Sequence, residues 1–211
     1  MTITITQAMV SSSSSCSSSL LSTAASELES IRCVPLHQAA NFPRACRALL
    51  YSIEGNDRCF ECNSIDVSWA SISHGIVLCL QCSGRHRSYG INTSKVRSID
   101  MDAWSHSQVL AMLEGGNAQL RGFFDRHHLG NDNEAMMSKR YRTKAALFYR
   151  SNLTNHVERV SKAGTYQGRD ASRQKAQTKQ QQQQATNDNK ENHRQGLESN
   201  ISPQAVATPC C

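Results

Sequence analysis

Cys59-x-x-Cys62 and Cys79-x-x-Cys82 stand with sixteen residues between them, and no other feature of the chain limits its folding so strongly. In a Cys-x-x-Cys knuckle both sulfurs converge on one point while backbone amides turn toward them. Two knuckles brought together complete a tetrahedral thiolate site with Zn–S bonds near ~2.3 Å. The competing reading is four free or paired thiols. A secreted disulfide framework, however, uses an even, distributed set behind a signal peptide. Here the remaining five of nine cysteines are Cys16, Cys33 and Cys46, each alone, and the terminal Cys210 and Cys211. Four protein ligands close the site to water, so the expected cofactor is one structural Zn2+, not a hydrolytic metal. His74 and His86 lie near the second knuckle, but a tetrathiolate needs neither.

The 211 residues suit one domain with tails, and only 38% of them are apolar. A formal charge of +6 points toward acidic partners such as membrane phosphate, nucleic acid or an acidic protein face, and selects none of them. No run approaches the roughly 18 apolar residues that span a bilayer. The N-terminus lacks a charged-then-apolar secretory pattern, although Ser/Thr richness without early acids is compatible with an organelle transit segment. A cytoplasmic setting is expected. The first 37 residues, with serine runs at Ser11–Ser15 and Ser17–Ser19, read as a solvated tail; a Ser/Thr-faced amphipathic helix around Leu20–Ile31 is the alternative.

Order is expected from near Phe42. Cys46, Leu49, Leu50 and Ile53 recur at helical spacing between Pro43, placed at the first helical position, and Gly55 as a stop. Val67–Ile72 and Ile76–Leu80 read as strands joined by a turn at His74-Gly75, with a third strand at Lys95–Ile99. The stretch after Cys82, through Gly90, predicts a short helix launched from the second knuckle. Arg87 on it would sit on a rigid base, where a planar, always-charged guanidinium suits phosphate. Ser105 with Gln108 forms a capping box ahead of Val109, Leu110, Met112 and Leu113. Asn117 leads a helix carrying Leu120, Phe123 and Phe124, and a last helix is expected over Thr143–Arg150, continuing toward Val160. Beyond Gly164 the chain turns to Gln, Asn, Lys and Arg, with a glutamine run at Gln180–Gln184.

From about Asn41 to Arg159 the chain resembles the Arf GTPase-activating protein (ArfGAP) domain. Two Cys-x-x-Cys pairs sixteen residues apart, then an arginine after four more residues, make that family's pattern, and Cys59, Cys62, Cys79, Cys82 and Arg87 fill it. Further matches are Gly55-Asn56-Asp57, Trp69, Gly75-Ile76, Cys82-Ser83-Gly84, His86-Arg87, Gly90, Val96-Arg97-Ser98, Met101-Asp102-Ala103-Trp104, Gly115-Gly116-Asn117, and Tyr141 with Lys144-Ala145. Val67 stands where the family often has proline, and Tyr89 where it commonly has an aliphatic residue. The resemblance implies an α+β fold: a small three-stranded sheet with a four-cysteine zinc site, surrounded by about five helices. It divides the chain into a disordered 1–37, an ArfGAP domain over 38–165, and a disordered Gln/Asn-rich 166–211.

The resemblance also implies a function. An activator of an Arf-type small GTPase in its GTP form would supply Arg87 in trans, an effect worth roughly 10³–10⁵ in rate or about 4–7 kcal/mol of barrier. The reaction would be the partner's, with no substrate turned over by this chain. Trp69, Ile76 and Asn117 match positions that shape or support the G-protein-facing surface, with core packing the alternative for Trp69 and helix capping for Asn117. Trp104 reads as core, and Asp100 and Asp102 as a turn rather than an acid–base pair. Recruitment from the cytoplasm to Golgi or other endomembranes during vesicle traffic would follow. The basic cluster Lys139, Arg140, Arg142 and Lys144, with Arg150, Arg159, Lys162 and Arg169, reads as a solvated helix face or as weak attraction to anionic lipid. Cys210 and Cys211 are candidates for lipidation, although the ending is not a Cys-a-a-X box. A GATA-type nucleic-acid finger has similar knuckles but lacks the Met101–Trp104 and Gly115–Asn117 blocks, so no nucleic-acid partner is expected. A non-catalytic scaffold is the remaining alternative.

Overall fold

A computed structural model of the chain describes residues 12–35, 41–130 and 134–174. It divides into two units, Met1–Arg169 and Asp170–Cys211; of the second, residues 170–174 are described and are helical. Elements of the first run α1 (Ser12–Ser30), α2 (Arg44–Ser52), β1 (Trp69–Ser71), β2 (Ile76–Leu78), α3 (Leu80–Ser88), β3 (Val96–Ser98), α4 (His106–Glu114), α5 (Asn117–Arg126), α6 (Glu134–Arg140) and α7 (Lys144–Lys162). The fold is α+β around a three-stranded antiparallel sheet, with more helices than the five expected.

The sheet order is β2-β1-β3, and Trp69 pairs with Leu78 on one side and Ser98 on the other. Every residue of β1 and β2 is buried, so this sheet is a core plate rather than a wall facing water. The turn between them needs glycine. Gly75 has φ +64°, and a Cβ there would lie 2.7 Å from the Ala111 carbonyl oxygen and from Gly115 Cα. Gly115 reciprocates, and the Gly116 N–H donates to the Gly75 carbonyl at 2.6 Å. Gly115 and Gly116, at the α4–α5 junction, thus let two backbones touch, pressing the sheet's turn against α4.

Helix ends follow the predicted chemistry. The Ser105 N–H donates to Gln108 Oε1 at 3.2 Å in the capping box, and Thr143 Oγ1 accepts from the Ala146 N–H at 3.2 Å to open α7. Pro43 is the N-cap residue of α2 (ψ 144°), one position earlier than anticipated. Trp104 is core, its Nε1–H donating to the Ser98 carbonyl at 2.9 Å and its ring meeting Phe42 edge-on at 4.8 Å. Asp102 accepts the Ser98 N–H and Asp100 pairs with Arg47, so both carboxylates are structural.

The serine-rich segment differs from expectation. The tail expected over 1–37 is helical from Ser12 to Ser30, and Ala24, Ala25 and Leu28 are buried in the main core. Its apolar face packs on α2 and α4. Two side chains then tie the domain's ends. Glu27 accepts the N–H groups of Ala45 and Cys46 at 2.7 and 3.1 Å, satisfying amides that α2 itself leaves open. Arg32 donates to the carbonyls of Ser161 and Gly164 at 2.7 and 2.8 Å, at the other end of α7. A carboxylate at a helix start and a guanidinium at a helix end both suit the peptide dipoles. At the far boundary the domain runs past 165: Tyr166 is buried, and Arg169 Nη2 donates to Gln119 Oε1 at 2.8 Å. Cys210, Cys211 and the glutamine run lie outside the described residues.

If α1 is part of the folded body, Glu27→Ala lowers unfolding stability by about 1 kcal/mol, as loss of a helix cap does. Urea melts of the full chain measure this, and an unchanged midpoint would mean that α1 does not dock.

Candidate functional site

Two short loops carry the cysteines. Cys59 and Cys62 lie in the turn after α2, where the Cys59 N–H donates to the Ser64 carbonyl at 2.7 Å and the Phe60 N–H to the Val77 carbonyl at 3.1 Å. That second bond pins the first knuckle to β2. Cys79 follows β2 as the N-cap residue of α3, and Cys82 occupies that helix's first turn. The four sulfurs lie within 4.8 Å of one another, and Cys62 Sγ and Cys79 Sγ are 3.6 Å apart. A tetrahedron with Zn–S bonds of ~2.3 Å has edges of about 3.8 Å, whereas a disulfide needs ~2.05 Å. The spacing fits a shared metal.

Charge fits as well. Burial pushes the Cys59 and Cys82 thiols up, and a cation shared between them would favour their thiolates. Arg85 Nη2 donates to Cys82 Sγ at 3.2 Å, a second-layer contact of the kind that orients a thiolate ligand.

α3 carries Arg87 five residues, about one and a half turns, beyond that sulfur. Its side chain is exposed, and its guanidinium carbon sits 4.5 Å from the centroid of the Trp69 ring. It borders an open groove of about 370 Å³ lined also by Ile91, Ser94, Lys95, Val96, Arg97 and Asp102. Arg97 is engaged from below, donating to the Ala103 carbonyl at 2.7 Å.

The other candidate surface residues divide. Trp69 lies just below the surface, 8% exposed, as the platform under Arg87. Ile76 is fully buried and Asn117 1% exposed, so neither side chain lies open at the surface. Asn117 is a clamp. Its Oδ1 accepts the Val77 N–H at 3.0 Å, its Nδ2 donates to the Gly55 and Arg58 carbonyls at 3.0 and 2.7 Å, and its own N–H donates to Asn56 Oδ1 at 2.9 Å. One side chain thereby joins α5, β2 and the approach to the first knuckle. The basic cluster also thins. Arg140 is buried, Arg150 donates to the Asn92 and Thr93 carbonyls, and Arg169 is held by Gln119. Lys139, Arg142, Lys144, Arg159 and Lys162 remain exposed.

Sequence reasoning missed Glu61, which sits between the ligands of the first knuckle and is almost wholly buried. Burial alone would raise its carboxyl, but hydrogen bonds from His86 and Tyr141 and the charge of Arg140 hold it down at about 2. Its only sequence signal was an acid inside a Cys-x-x-Cys knuckle.

Purified chain is expected to carry one equivalent of zinc, and Cys82→Ser to unfold it, because binding to a structural site is folding free energy. Metal analysis and a thermal melt check this; a cooperative wild-type melt in the mutant would exclude a structural metal. Asn117→Ala, which leaves three buried backbone groups without partners, should lower stability by about 1–3 kcal/mol per orphaned group at most, read by urea unfolding with zinc retained.

Residues 44–158 match the ArfGap family, which is described as "Putative GTPase activating protein for Arf". Among curated relatives, the ADP-ribosylation factor GTPase-activating protein 3 of Pongo abelii is 38% identical over 115 residues, 54% of this chain and 22% of that protein. Its counterpart in Bos taurus is 42% identical over 106 residues, 49% of this chain and 20% of that protein. The Homo sapiens Arf-GAP with coiled-coil, ANK repeat and PH domain-containing protein 3 is 42% identical over 74 residues, 35% and 9% of the respective chains. The chain therefore spans about a fifth or less of the length of these relatives. The family match covers the sheet, both knuckles, α3 with Arg87, and α2 to the greater part of α7; with a match over more than half its length, this chain belongs to the ArfGap family.

Proposed function

We propose that this chain is a GTPase-activating protein for an Arf-type small GTPase in its GTP form, and that Arg87 is the residue it delivers to the partner's nucleotide. The observation that carries the reading is an exposed guanidinium, held over an indole, on a helix that starts at the second knuckle. Small GTPases hydrolyse slowly because charge growing on the transferred phosphoryl group is poorly neutralised, and an arginine supplied in trans stabilises it. The stack on Trp69, worth about 0.5–1 kcal/mol at an exposed site, restricts the rotamers Arg87 would otherwise lose on docking. Ile91 at the groove's edge, 72% exposed, offers apolar contact beside the charge. Zinc, held by Cys59, Cys62, Cys79 and Cys82, would supply rigidity and no chemistry of its own.

In this reading the reaction is the partner's, and the chain turns over no substrate. Arf-type proteins work on membranes, so the exposed Lys139, Arg142, Lys144, Arg159 and Lys162 are proposed to give weak attraction to anionic lipid, with the protein recruited from the cytoplasm to Golgi or other endomembranes.

The 211-residue chain should accelerate GTP hydrolysis by a myristoylated Arf on vesicles, and Arg87→Lys should lower that acceleration by about 10³-fold or more, with zinc content unchanged. Equal stimulation by the two proteins would remove Arg87 from the role. Binding of the GTP form without acceleration would leave a scaffold.

A further inference from the structure

Arg87 points to solvent, while its chain neighbour His86 is fully buried and enters a line of hydrogen bonds. His74 Nδ1 lies 3.0 Å from Ser71 Oγ, which lies 2.7 Å from Ser94 Oγ, which lies 2.8 Å from His86 Nδ1. His86 Nε2 is 3.1 Å from Glu61 Oε1, and Arg140 and the Tyr141 hydroxyl both donate to Glu61. Burial holds His74 well below its ordinary value, so it is neutral. One proton assignment then satisfies the line. His74 Nδ1–H donates to Ser71, Ser71 to Ser94, Ser94 to His86 Nδ1, and His86 Nε2–H to the Glu61 carboxylate.

The placement of these groups matters more than their number. Zinc would attach α3 only at its start, through Cys79 at the N-cap and Cys82 in the first turn. One attachment at one end is a pivot. His86, four residues beyond Cys82, lies on the same helix face and makes a second attachment, to Glu61 inside the other knuckle. Two attachments fix a direction. At 1.5 Å rise per residue, Arg87 is about 7.5 Å along the axis from Cys82, so a 10° swing about the metal shifts its backbone by about 1.3 Å. A misplacement of about 1 Å can cost ~10²-fold in rate.

We propose that His86 and Glu61 are positioning residues for Arg87, their hydrogen bond setting the tilt and rotation of α3 and so the place of the guanidinium over Trp69. This rests on the assignment of Arg87 made above.

The test compares His86→Asn with His86→Gln in the full chain. An asparagine amide reaches Ser94 but not Glu61; a glutamine amide places its N–H near the position of Nε2 and restores the bond to Glu61. Hydrolysis by a myristoylated Arf on vesicles is followed at saturating and limiting activator, together with zinc content, melting and the Trp69 indole N–H resonance. His86→Asn should keep zinc and the half-saturating concentration, lose about 10- to 100-fold of the saturating rate, and shift the Trp69 resonance as Arg87→Ala does. His86→Gln should recover both rate and resonance. Equal losses in the two variants, following their melting temperatures, would overturn the proposal, as would a wild-type Trp69 resonance in His86→Asn. If the wild-type chain gives no acceleration, the activator reading falls and the Trp69 resonance alone decides the positioning claim. Should His86→Asn fail to hold zinc, Glu61→Gln removes the carboxylate charge that His86 Nε2–H answers, and a wild-type rate and Trp69 resonance there would equally sink it.

Discussion

Convergence of four sulfurs within 4.8 Å is the constraint on which the rest of the molecule depends. Buried thiols resist ionising side by side, and a divalent cation reverses that preference. Structural zinc contributes on the order of 10–16 kcal/mol in small finger peptides, as much as the whole folding stability of an ordinary domain, about 5–15 kcal/mol. The strands here are three residues each and could not organise a sheet unaided. The cysteine cluster joins the segment before β1 to the helix after β2, closing the sheet at the end where Trp69 pairs with Leu78.

Around that centre, polar side chains act as struts. Asn117 reaches β2, Gly55 and Arg58; Glu61 gathers His86, Arg140 and Tyr141. Arg140 shows what such struts require. A guanidinium buried this far is tolerable only because a carboxylate answers its charge and the rings of Phe60, Phe124 and Tyr141 lie 5.1–5.4 Å away. The result is a rigid back to α3 and an open front, with Arg87 the charged group left facing outward from that helix's last turn over an aromatic platform.

Much of this was legible beforehand. The knuckles, the three strands, the capping box at Ser105, the Thr143 start of α7 and the core role of Trp104 all follow from local spacing and cap chemistry, which act over a few residues. α1 was legible only as the lesser alternative over Leu20–Ile31, for a physical reason. Serine is a middling helix former that competes for backbone hydrogen bonds, so a serine-rich stretch reads as solvated chain. Ala24, Ala25 and Leu28 become helical because α2 and α4 offer them a surface. Basic residues misled in the opposite direction: Arg140 and Arg150 read as surface charge, yet both are committed to partners distant in the chain.

The sequence by itself determined which four cysteines could gather, the order of the elements and the arginine placed five residues past the last of those cysteines, because each depends on covalent spacing. Only the tertiary structure decided that Ile76 and Asn117 face inward, that Trp69 lies beneath Arg87, and that Glu61 reaches across to His86. Those facts depend on which distant segments meet, and burial and hydrogen-bond satisfaction are settled by all neighbours at once.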